Sequence, residues 1–70
     1  MYSITYYYNS KMAYVDSKMY TSADNASVRA ILHISHHSDS LDGAAIIYQG
    51  KKVTKRVRTI RVWNHEPQHT

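Results

Sequence analysis

The chain has no cysteine and no phenylalanine, and only two glycines, one proline and five acidic residues among its 70 positions. Without cysteine there are no disulfides, no thiolate metal ligands and no cysteine nucleophile. That absence fits a reducing compartment, and a cytoplasmic location is the expectation. Two glycines leave little for a loop that cradles phosphates, and no nucleophile elbow is present. The carboxylates Asp16, Asp24, Asp39, Asp42 and Glu66 are scattered, with no pair set by spacing. An enzyme is therefore not expected, and no cofactor is implied. No apolar run approaches the ~20 residues that a membrane-spanning helix requires. The start, Met1-Tyr2-Ser3-Ile4-Thr5, lacks the basic-then-apolar order of a signal peptide. Neither a membrane partner nor secretion is expected, so Asn25-Ala26-Ser27 is read as a chance glycosylation match.

What is present is positive charge, and it is clustered. The formal charge is +4 with a pI near 9.5, and six of the nine basic residues fall between positions 51 and 61. These are Lys51, Lys52, Lys55, Arg56, Arg58 and Arg61, with no acidic residue among them. Val53, Thr54, Val57, Thr59, Ile60 and Val62 run through the same stretch, which ends on Trp63. β-branched residues favour strands, so the charge is expected on a folded strand rather than on a loose tail. A basic footprint of this kind suits nucleic acid, a nucleoprotein or an acidic protein face. The competing explanation is an edge strand guarded against aggregation, although one or two charges suffice for that.

Seventy residues make one domain, expected over residues 1–63, with 64–70 as a disordered tail. A chain this short buries only ~60% of its unfolded surface. The core candidates are Ile4, Val15, Ala26, Ala30, Ile31, Ile34, Ile46, Ile47, Val57, Ile60 and several of the seven tyrosines. A homodimer would enlarge so small a core.

Alternation over Tyr2–Tyr8 predicts a strand with Tyr2, Ile4, Tyr6 and Tyr8 on one face. Asn9-Ser10 is a turn signal, and a second strand is expected over Lys11–Tyr20, with Asp16-Ser17 as a bulge or an early end. Ala13 and Val15 would share one face, Met12 and Tyr14 the other. Ser22 opens a helix, with Asp24 at its positive end and Ala23, Ala26, Ala30, Ile31 and Ile34 at helical spacing. Ala44–Tyr48 reads as a central strand and Val53–Trp63 as a fourth, the latter with a slip of phase that a bulge near Arg58-Thr59 would reconcile. On that strand Arg56 and Arg58 are expected on one face and Lys55 on the other, the bulge returning Arg61 to the side of Arg56. The result is an α+β fold in ββαββ order, a small antiparallel sheet with one helix on one face.

Two further constellations stand out. Tyr6, Tyr7, Tyr8, Tyr14, Tyr20 and Tyr48, with Trp63, could stack bases on an open sheet or anchor a protein interface, or simply pack as strand residues. Tyr6, Tyr8, Tyr14 and Trp63 are the candidate anchors. His33, His36 and His37 share one helical face at the spacing a metal pair needs, with His65 or His69 to complete it. No neighbouring Glu or Cys supports a metal, and His also suits a helix C-terminus, so no metal site is assigned.

The tyrosine-bearing first strand, the helix start Thr21-Ser22-Ala23-Asp24-Asn25-Ala26 with Ala30 following, Gly43-Ala44 and the closing basic hairpin Lys51–Arg61 together resemble small phage host-takeover proteins. Among these the chain is most similar, over residues 2–63, to compact type I-F anti-CRISPR proteins. The resemblance implies a non-catalytic inhibitor that binds an RNA-guided surveillance complex in the host cell and covers the place where target DNA pairs or enters. No motif fixes an alignment, so no individual binding residue carries over. A direct DNA- or RNA-binding module using the same basic strand and tyrosines is the alternative.

Overall fold

A computed structural model of the protein describes residues 1–62; Trp63 and the 64–70 tail, with His65 and His69, lie outside the described residues. The order is β1 (Tyr2–Tyr8), β2 (Lys11–Val15), α1 (Ala23–His36), β3 (Gly43–Gln49) and β4 (Thr54–Arg61). The strands form one antiparallel sheet in the order β2-β1-β3-β4 with the helix on one face, the α+β arrangement expected. β3 is central, as its apolar continuity predicts.

The covered face is built from period-two residues of β1 and β3. Ile4 pairs with Ile46 and Tyr6 with Ala44, and all four are buried against Ala26, Ala30 and Ile34 of α1. Leu41 closes the cluster. The small alanines let the helix lie close to the sheet, so little space remains for larger side chains. Ser22 caps the helix: its Oγ accepts the Asn25 amide at 3.0 Å.

The contact face of α1 is narrower than the sequence suggests. Ile31 belongs with Val28 and Leu32 on the outer face, all three about half exposed. The helix meets the sheet along Ala26, Ser27, Ala30 and Ile34, a stripe that leaves Ile31 beyond its edge. Val15 and Val57 are likewise exposed rather than core, because Val15 faces away from the helix and Val57 is the unpaired residue where the β3–β4 register shifts.

The second strand ends early. Asp16 Oδ1 accepts the Lys18 amide at 3.0 Å, turning the chain out of the sheet, and Oδ2 accepts the Tyr20 hydroxyl at 3.1 Å. The chain touches the sheet again at Tyr20, whose backbone exchanges two hydrogen bonds with Tyr2. Asn9 and Ser10 both have positive φ, 56° and 69°, as a two-residue turn matched to strand twist requires.

Candidate functional site

Two bulges decide which side chains share a face. The first lies in β2 at Ala13, since Tyr7 pairs with Met12 and Tyr6 with Tyr14. Met12 and Val15 therefore stand on the open face with Tyr7 and Thr5, and Tyr14 stands on the helix side. The expected grouping of Met12 with Tyr14 is reversed by this one residue.

The second bulge lies in β4. Ile46 pairs with Arg58 and Ile47 with Arg56, which leaves Val57 as the extra residue, just before the Arg58-Thr59 position expected. Cross-strand partners share a face, so Arg58 joins Ile46 on the helix side. Arg56, Thr59 and Arg61, opposite Ile47, Ala45 and Gly43, share the open face. Lys55 pairs with Tyr48 on the helix side, and Lys51 and Lys52 sit in the exposed turn before β4. Arg56 and Arg61 thus lie together as expected, and Arg58 does not.

Arg58 has a separate task. Its Nη1 donates to Asp24 Oδ1 at 3.0 Å and to Ser27 Oγ at 2.8 Å, while Ser27 Oγ donates to the Ala23 carbonyl at 2.8 Å. The guanidinium ties β4 to the first turns of α1. As a candidate binding residue Arg58 is therefore corrected to a strut, because the bulge turns it toward the helix.

The tyrosines divide in the same way. Tyr6, a candidate anchor, is 1% exposed and belongs to the core. Burial, reinforced by nearby Asp16, raises the Tyr6 hydroxyl far above its ordinary pKa. Tyr14 is partly exposed, but its hydroxyl is hydrogen-bonded to His33 Nε2 and its ring lies 5.2 Å from that of Tyr6, centroid to centroid. It supports the fold rather than standing free. The His33 ring lies 4.5 Å from that of His37, tilted by 50°, and burial and His37 together lower its pKa. Among the described residues no three histidine or acidic side chains are grouped to hold a metal. Of the four candidate anchors only Tyr8 stands among the described residues with an exposed ring and no ring partner.

The open face carries a cleft of about 520 Å³. Gly43 and Ala45 line it with Tyr7, Tyr8, Arg56, Thr59 and Arg61. Gly43 and Ala45 are buried although no element among the described residues covers this side, because they are short beside longer neighbours. Asp42 builds one end: its carboxylate accepts the Asn9 amide at 3.2 and 3.1 Å, its amide donates to the Tyr7 carbonyl, and its carbonyl accepts from Val62. No ion pair or hydrogen bond engages the guanidinium of Arg56 or Arg61 among the described residues.

Sequence reasoning did not single out Asp42, Thr59 or the small residues of β3 as parts of a site. Thr59 and Gly43 become site residues only through cross-strand register, and a lone aspartate after a helix carries no local signal of the turn it holds. Compared with known protein families, curated proteins and solved structures, the chain matches none.

Proposed function

We propose that the chain is a non-enzymatic binding protein that docks through its open sheet face on a host nucleoprotein and blocks its action. A CRISPR surveillance complex is the target named by the sequence resemblance. One observation carries the reading: Arg56 and Arg61 stand unpaired, among the described residues, on the same face as half-exposed Met12 and Val15. Arginines of this kind match phosphates or carboxylates, and the apolar pair suits a protein partner. A nucleoprotein presents both chemistries in one surface. Naked nucleic acid presents few apolar groups to match Met12 and Val15, which favours this reading over a plain nucleic-acid module.

The test is direct binding to a purified type I-F surveillance complex by biolayer interferometry, with target-DNA binding by that complex read alongside. The expected result is tight binding and loss of DNA capture. Arg56→Glu/Arg61→Glu and Met12→Asp/Val15→Asp should each abolish both while leaving the thermal melt unchanged. No binding to the complex, or binding indifferent to both variants, overturns the proposal.

A further inference from the structure

We propose that the open-face cleft is a binding site for a short single-stranded nucleic-acid segment, with Arg56 and Arg61 on separate phosphates and Tyr7 against a base. The inference rests on the open face being the docking surface and names what one end of it grips.

The argument begins with spacing. Arg56 pairs with Ile47 and Arg61 with Gly43, four residues apart on β3. At ~3.3 Å per residue their backbones stand about 13 Å apart along the strand. Both side chains nevertheless line one cleft, and Thr59 lies between them on the same face. One phosphate is too small to satisfy both guanidiniums at that span. Separate, non-adjacent phosphates of a strand laid along β4 can meet one arginine each, with the Thr59 hydroxyl as a further donor between them.

The walls supply the rest. Tyr7, which is only partly buried, pairs with Gly43 and lines the cleft with its ring. An unstacked base needs an aromatic face of this kind, and a paired duplex offers none to it. Asp42 is the one carboxylate lining the cleft among the described residues, and its two oxygens accept the Asn9 amide. It is held as part of the turn rather than paired with either arginine. An acidic peptide would meet the same two cations but gains nothing from the aromatic ring beside them, so the combination favours nucleic acid.

The measurement is fluorescence anisotropy of labelled hexauridylate with the full chain across a salt series, with uridine monophosphate and hexaglutamate as unlabelled competitors. Hexauridylate should bind, and log K should fall with log salt by roughly 0.7 per phosphate engaged. Arg56→Gln and Arg61→Gln should each lower that slope by about 0.7. Tyr7→Leu should weaken binding by about tenfold with the slope unchanged, because stacking releases no counterion. Lys18→Gln, away from the cleft, should match the parent. All variants are checked by circular dichroism and thermal melting.

The proposal fails if hexauridylate does not bind, or if the slope ignores both arginines. It fails equally if uridine monophosphate competes as well as the hexamer, which would make the site one for a free nucleotide, or if hexaglutamate competes better. Failure here is separable from failure of the functional reading. If hexauridylate does not bind, capture of the surveillance complex that is lost in the Arg56/Arg61 and Met12/Val15 variants would still uphold the functional reading. Conversely, oligonucleotide binding without capture of the complex would leave the cleft assigned and the inhibitor reading refuted.

Discussion

The two faces of the sheet use the same residue types to opposite ends. On the helix side, Arg58 bonds to Asp24 and Ser27, Tyr14 to His33, and Tyr6 fills the core. On the open side, Arg56, Arg61 and Tyr7 line a cleft, and Met12 and Val15 face solvent. Arginine and tyrosine identify neither a structural nor a binding role by themselves. What separates the roles is whether the protein supplies its own partner. The helix supplies partners to Arg58 and Tyr14, and the other face bonds Ser3 to Gln49 but, among the described residues, offers nothing to Arg56 or Arg61.

Substitutions that empty the covered face should mark the contrast most strongly. Ile34→Ala or Ile46→Ala should each cost about 2–5 kcal/mol, as deletion from a close-packed core does. Ile47→Ala, only partly buried on the other face, should cost well under half as much. Urea denaturation monitored by circular dichroism gives both, and equal losses would dissolve the distinction between the faces.

The arginines give the next sharpest contrast. Arg58→Gln should destabilise by about 1 kcal/mol, mainly through the bond to buried Ser27, because the exposed Asp24 pair is screened. Arg56→Gln should stay within about 0.5 kcal/mol of the parent. A stability cost at Arg56 matching that at Arg58 would mean that the bulge does not divide them.

The pH dependence tests the burial of His33 and of the tyrosines around it. His33 has a lowered pKa in the folded state, so the unfolded chain binds its proton more readily. This contribution is complete above the ordinary value of 6.5 and is lost as pH falls from there through the depressed folded value. Tyr14 and Tyr20 are shifted upward, mainly by burial, so theirs is complete below 10.0 and is lost as pH rises beyond it. Stability should therefore be flat between these limits and fall on either side. His33→Gln should flatten the acid limb near pH 6, and an unaltered limb would remove His33 from the account.

The smallest effect belongs to the outer helix. Ile31→Ser should change stability by no more than about 0.5 kcal/mol, since the residue is already half in water. A melt lowered as far as that of Ile34→Ala would show that the outer face is covered in solution.

The sequence by itself determined the element order, the helix cap at Ser22, the turn at Asn9-Ser10 and the central place of β3. These depend on local signals: period, capping oxygens and turn residues that act within a few positions. It also concentrated positive charge on one strand. Tertiary structure decided the allocation of that charge and of the tyrosines. The bulges at Ala13 and Val57 reverse the side of every residue beyond them, and their positions depend on pairing with β1 and β3 rather than on local composition. The helix then chose what to cover: its alanine stripe drew Tyr6 and Arg58 inward and left Ile31 outside. A side chain's partner comes from a distant part of the chain, so whether an arginine is a strut or a free cation is settled only when the sheet and helix meet.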